Sequence, residues 1–230
     1  MRAALYSIDP ERATKAIDEL RQIGAEGALL DIARQAASPH VAVRSAVVSA
    51  LGALGRNQPE IAGPALVHLL ADTDDYIRAE AADALGIIGF APAAAAVAER
   101  LRHDADAVVR AASAETLGDL GDVDSVPDLV RALADSDPAV RGYAANALGL
   151  LGTAEIVPVL ERFVAVEPTP ATRGELLGAL YRLGGDEALT SLVQLLRTAD
   201  ANFAPNLLNT IEDLISRRQP ARLTADASSI

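Results

Sequence analysis

The residues able to do chemistry in this sequence fall into three groups. The first is an arginine in a glycine-rich run, VRGYAANALGLLG (140–152), whose Arg141 and three glycines have the composition of a phosphate-binding segment. A phosphate cradle, however, sets its glycines ahead of a helix, where free backbone N–H groups converge. Here they lie within and after a helical pattern. The second group is His40, His68 and His103. None is followed by glutamate, so no H-E-x-x-H is present to hold a metal. The third group is the carboxylates: Asp and Glu number 32 against 20 Lys and Arg, a formal charge of −12. They recur at regular intervals, and no single pair stands apart as general acid and base. There is no cysteine and no G-x-S-x-G. The sequence therefore predicts no catalytic residue, no metal and no cofactor.

A repeat positions these residues. VRSAVVSALGALG (43–55), IRAEAADALGIIG (77–89), VRAASAETLGDLG (109–121), VRGYAANALGLLG (140–152) and TRGELLGALYRLG (172–184) align. Arg44, Arg78, Arg110, Arg141 and Arg173 are 34, 32, 31 and 32 residues apart, and the closing glycines keep the same intervals. Weaker copies lie at 12–24 and 204–215, the second with Pro205 at the arginine position. Atypical end units are expected where an array meets water. Between the copies run amphipathic stretches such as VDSVPDLVRALADSD (123–137), with Val126, Leu129, Val130 and Leu133 on one helical face. Half the residues are apolar but only 3% are aromatic, so the core must be built from small aliphatic side chains, among which Ala and Leu favour helix. An all-α fold follows, each unit consisting of helix A, an acidic turn, helix B and a glycine stop.

Residues present in every copy are expected to serve the fold. Asp74, Asp106 and Asp137, four residues before their arginines, suit the N-cap of helix B, and Pro138 and Pro170 suit its first turn. Gly55, Gly89, Gly121, Gly152 and Gly184 read as left-handed helix stops. Gly52, Gly86, Gly118 and Gly149, inside the helix, imply close helix approach that offsets a cost of about 1 kcal/mol each.

The D-x-D-x-x-V-R turn, as in DSDPAVR (135–141), and the A-x-x-A-L-G-x-L-G ending, as in AANALGLLG (144–152), resemble HEAT repeats, specifically the short type named for phycobilisome lyases. The resemblance covers about residues 10–216. It implies an α-solenoid of about six helix pairs after an N-terminal helix, as one domain over 1–216; the remainder, 217–230, has little apolar periodicity and is expected to be a mobile tail. It further implies that acid and arginine link neighbouring repeats in a ladder, a role that falls to Asp72/Arg78, Asp104/Arg110 and Asp135/Arg141, and that the B helices line a concave face.

Helical spacing separates the faces of helix B. Counting the arginine as zero, positions −1, +3, +7 and +10 are small or apolar and face the core. Positions +2, +5 and +9 form the opposite stripe and differ among copies. The stripe is acidic in the middle (Glu80, Asp83, Glu115, Asp119) and includes Ile87. Further on it becomes aromatic and polar, with Tyr143, Asn146, Leu150, Glu175 and Arg182, and Tyr181 adjoins it where other copies have glycine. Structure does not demand this variation, so specificity belongs here. The expected function is a non-catalytic scaffold, adaptor or assembly factor holding a protein segment with basic and apolar residues in an acidic groove. The alternative is a subunit of a bilin lyase, given the repeat type. Deoxyhypusine hydroxylase, another HEAT-like protein, depends on His-Glu pairs that are absent here. The acidic charge opposes nucleic acid and anionic membrane. No stretch reads as a signal peptide's apolar core or a membrane span, and cysteine is absent, so a cytoplasmic protein is expected.

Overall fold

The computed structural model describes residues 2–152, 154–201 and 203–226. Among them are thirteen α-helices and no strand. After α1 (Pro10–Gln22) come six A/B pairs: α2 (Leu29–Ala33) with α3 (Val41–Leu54), α4 (Pro59–Leu69) with α5 (Asp75–Ile88), α6 (Ala94–His103) with α7 (Ala107–Leu120), α8 (Val126–Ala132) with α9 (Pro138–Leu151), α10 (Val157–Val166) with α11 (Pro170–Arg182), and α12 (Asp186–Thr198) with α13 (Ala204–Asp226). The expected tail at 217–230 begins inside α13. Its last four residues lie outside the described residues.

The acidic turns set where each B helix begins. The Asp74 carboxylate accepts from the Ile77 N–H at 3.2 Å, Asp106 from Val108 and Val109 at 2.8 and 3.2 Å, and Asp137 from Ala139 and Val140 at 2.8 and 3.4 Å. Each cap satisfies first-turn donors that have no partner within the helix, a contribution of about 1 kcal/mol. Thr169 holds the cap position of α11 without a side-chain cap bond, and there Pro170 presets the first turn.

The chain forms two compact units, residues 1–128 and 129–230. In the first unit α1 packs on α3 and the B helices follow in sequence, α3 on α5 and α5 on α7, while α4 and α6 back their partners. The +7 leucines Leu51, Leu85 and Leu117 are wholly buried in its core. In the second unit α9, α11 and α13 follow one another in the same way, with α10 and α12 against α11. Leu148, Leu176 and Leu207 are buried there. Each such leucine is worth roughly 2 kcal/mol of transfer from water.

The glycine stops differ from the sequence expectation at two positions. Gly89 and Gly121 adopt φ of +67° and +70°, as a left-handed stop requires. Gly55 (φ −81°) and Gly152 (φ −71°) do not. Gly55 passes straight into a 3₁₀ turn, and it is glycine because a Cβ there would lie 2.6 Å from the Ala62 Cβ. Gly152 leaves its helix in extended geometry, where a Cβ would collide with the Leu148 carbonyl oxygen. Gly52 and Gly149 do mark close helix approach: a Cβ at Gly149 would lie 2.8 Å from the Ala179 Cα, and one at Gly52 3.2 Å from the Ala84 Cβ.

Candidate functional site

The recurring arginines are bound within the fold. Arg78 donates through Nη1 to the Asp72 carbonyl in its own turn (2.9 Å), and through Nε and Nη2 to the Asp104 carboxylate in the next (both 2.8 Å). Arg44 repeats this with the Ser38 carbonyl (3.0 Å) and the Asp72 carboxylate (2.6 and 2.8 Å). Arg141 repeats it with the Asp135 carbonyl (2.9 Å) and the Glu167 carboxylate (both 2.8 Å). The pairs named from sequence are thus corrected in partner. Asp72/Arg78, Asp104/Arg110 and Asp135/Arg141 meet through the acid's backbone carbonyl, at 3.0 Å for Arg110 Nη1. The carboxylates of Asp72, Asp104 and Glu167 belong instead to the preceding repeat's arginine. Each also accepts the N–H two residues on, at 2.9, 3.1 and 2.9 Å, which fixes it in the turn.

This geometry explains the charge state of the ladder. The bond from Arg44 holds Asp72 below the ordinary carboxylate range, and Arg141 does the same for Glu167. At Asp104 burial pushes upward, but the Arg78 bond and the Asp106 N–H outweigh it. With their donors engaged by carboxylate and carbonyl together, Arg44, Arg78 and Arg141 join successive repeats.

The stripe opposite the core differs from the ladder. In the first unit, Glu80 and Asp83 on α5 and Glu115 and Asp119 on α7 lie together. A Cβ on Gly86 would approach Asp119 Oδ2 to 3.3 Å, so the missing side chain lets the α7 carboxylate lie over α5. No arginine or lysine pairs with these four among the described residues. Asp83 is consequently pushed up to about 6, by desolvation among the neighbouring side chains first and then by the charges of Glu115, Glu80 and Asp119, although its outer surface meets solvent. Burial first, and then Asp119, also raises Glu115. Ile87 lies beside the cluster, 51% exposed.

In the second unit the stripe borders a cavity of about 490 Å³. Tyr143 and Asn146 line it from α9, Glu175 from α11, and Phe203, Asn206, Leu207 and Thr210 from α13 and the residue before it. Position +1 is glycine in both helices, and Gly142 and Gly174 border the space. A Cβ on Gly142 would lie 3.6 Å from the Glu175 Cγ, and one on Gly174 3.4 Å from the Leu207 Cδ1. Glu175 is half-buried and its pKa is raised, by desolvation first, with the Arg182 charge opposing. Arg182 Nη1 donates to Asn146 Oδ1 at 2.8 Å, tying α11 to α9. Leu150 is exposed, while Tyr181 is buried at 8% exposure, so it lies beneath this face and not on it, a correction to the sequence assignment. The α13 residues were missed because Pro205 breaks the arginine signature. Counting +2 and +5 from Pro205 lands on Leu207 and Thr210, which is the signal that would have found them.

His40, His68 and His103 are exposed, and no group of three or more His, Asp or Glu among the described residues is arranged to hold a metal ion. No described helix is long and apolar enough to cross a membrane.

A family model described as HEAT repeats matches residues 2–86, 52–118, 94–169 and 126–204. No curated protein sequence matches the chain. Among solved structures, the complex of CpcE and CpcF of phycocyanin lyase from Nostoc sp. PCC7120 is similar at TM-score 0.58 and 22% identity, over 93% of this chain and 92% of that one. The karyopherin Kap121p, bound to the extreme C-terminus of the protein phosphatase Cdc14p, is similar at TM-score 0.65 and 15% identity, over 90% of this chain and 25% of that one. A designed armadillo repeat protein in complex with the peptide (KR)4 is similar at TM-score 0.53 and 18% identity, over 94% and 96%. At these identities the likeness is one of fold. The repeat period, the helix pairs and a family match spanning residues 2–204 agree, and the chain belongs to the HEAT-repeat family of all-α solenoids.

Proposed function

We propose that this protein is a non-catalytic scaffold or adaptor that binds a basic segment of a partner protein on the B-helix face of its first unit. The observation that carries this is the uncompensated carboxylate cluster of Glu80, Asp83, Glu115 and Asp119. In the ladder the buried carboxylates of Asp72, Asp104 and Glu167 are each neutralised by an arginine at hydrogen-bonding distance, yet here acids from two helices lie together with no such partner, and desolvation followed by their mutual repulsion pushes Asp83 up to about 6. Such crowding weakens the folded state and is relieved by a cationic ligand. Solenoids of the same fold that hold a protein or a peptide segment support the reading. Proteins captured by the native chain and by Glu115→Arg, compared at two salt concentrations, test it. Partners retained by the native chain at low salt are expected to be lost from the variant. Equal retention by both would sink the proposal.

A second reading, a subunit of a bilin lyase, is supported by the fold likeness to the phycocyanin lyase complex. Bilin absorbance developing when the chain is mixed with pigment apoprotein and free bilin would favour it over the scaffold.

A further inference from the structure

We infer that the cavity between α9, α11 and α13 in the second unit receives an arginine side chain of the bound segment, with an apolar neighbour seated beside it. This rests on the protein-segment reading above and adds a site with its own chemistry. Three observations carry it. The first is an acceptor without a partner: Glu175 sits half-buried at the cavity wall, and no hydrogen bond or ion pair reaches its carboxylate among the described residues. The charge of Arg182 acts on it, while the Nη1 of that arginine donates to Asn146 at 2.8 Å. The second is two aromatic rings, Tyr143 and Phe203, bordering the same space. A planar guanidinium can stack on a ring while its edge meets a carboxylate, whereas an ammonium makes only the point contact. The third is the size and apolar remainder of the cavity. About 490 Å³ exceeds one side chain, and the Leu207 wall gives an adjacent apolar residue a place to bury.

The two glycines widen access to the acceptor and to the space. Gly142 removes the side chain that would otherwise cover the Glu175 stem, and Gly174 removes the one that would fill the cavity toward Leu207. Other copies carry serine or alanine at this position (Ser45, Ala79, Ala111), so the receptacle is particular to the fourth and fifth repeats.

The test is an NMR titration of the native chain with acetyl-Ala-Leu-Arg-Leu-Ala-amide and with the same peptide carrying citrulline, the uncharged isostere of arginine. Saturable shifts are expected at the amides of residues 142–146, 174–175 and 206–210, with the citrulline peptide at least about tenfold weaker, as the loss of a charge-assisted hydrogen bond in a partly desolvated site requires. Glu175→Gln, nearly isosteric, is expected to reduce this preference to less than about twofold. Absence of saturable shifts at these residues, or equal affinity for the two peptides, overturns the inference. If Glu175→Gln does not fold, the citrulline comparison on the native chain decides alone. If the arginine preference survives in Glu175→Gln and disappears in Asp83→Asn/Glu115→Gln, arginine is read by the first unit. That outcome overturns the cavity assignment and leaves the scaffold proposal standing.

Discussion

Replacing Asp83 by asparagine is expected to stabilise this protein while weakening its binding. Asp83 titrates at about 6 against an ordinary 3.8, because desolvation and three neighbouring carboxylates disfavour its charge in the folded state. At about 1.4 kcal/mol per pH unit, that gap sets a ceiling of about 3 kcal/mol on the penalty at neutral pH. The residue is exposed and solvent screens part of the repulsion, so the expected gain is about 1 kcal/mol. For a chain of this length the melting temperature then rises by roughly 2–4 °C. Asparagine keeps the volume and the local hydrogen-bonding capacity, so the change isolates the charge. The folded state holds the Asp83 proton more tightly than the unfolded chain. The penalty is therefore full above about pH 6 and vanishes as pH falls toward 3.8. Melting curves of the native chain and the variant at pH 7.5, 6, 5 and 4 measure the difference directly. A variant less stable than the native chain at pH 7.5, or a difference that does not shrink with acid, would refute the electrostatic account of the cluster. The same variant is expected to lose affinity for a basic partner segment, the stability–function trade-off of a charged binding face.

The remaining predictions concern the framework. Arg78→Ala leaves the Asp104 carboxylate, with a side chain only 2% exposed, without its bidentate partner, and is expected to cost about 3 kcal/mol in urea unfolding; a double-mutant cycle with Asp104→Asn showing coupling below about 0.5 kcal/mol would argue against the ladder. Gly149→Ala, whose Cβ would meet the Ala179 backbone at 2.8 Å, is expected to destabilise by about 1–3 kcal/mol, whereas Gly178→Ala, with 3.5 Å to the Leu214 Cδ1, gains up to about 1 kcal/mol from helix propensity. For the native chain, stability rises as pH falls from 7.5 toward 5, because Asp83, Glu115 and Glu175 have raised pKa values and the folded state takes up their protons first. It then falls below pH 4, where Asp72, Asp104 and Glu167, all held low by their arginines or outweighing burial through them, begin to protonate. A urea midpoint that only declines from pH 7.5 to 5 would contradict the first part.

Much of the frame can be read without the fold. Arginines and glycines at a near-constant spacing, +7 leucines and the aspartates four residues ahead of Arg78, Arg110 and Arg141 identify the helix pairs, three of their caps and their buried face, because local hydrogen bonding and helical period repeat with the sequence. The stripe at +2, +5 and +9 is legible for the same reason, as far as Tyr143, Asn146 and Glu175. The sequence signal weakens at the sixth copy, where proline replaces arginine.

What the sequence by itself determined is therefore the repeat, the helix faces and the residues free to vary. Which partner each residue meets was decided only by tertiary packing. An aspartate six residues before an arginine looks like its ion-pair partner, but the stacking of one turn on the next gives the carboxylate to the preceding repeat and leaves only its carbonyl for its own arginine. Tyr181 reads as an anchor of the exposed stripe and is buried. The cavity beside Glu175 has no signature in any one segment. It arises where two glycines on successive helices coincide with a ring and a leucine contributed by a third, a juxtaposition of side chains more than 60 positions apart that packing alone creates.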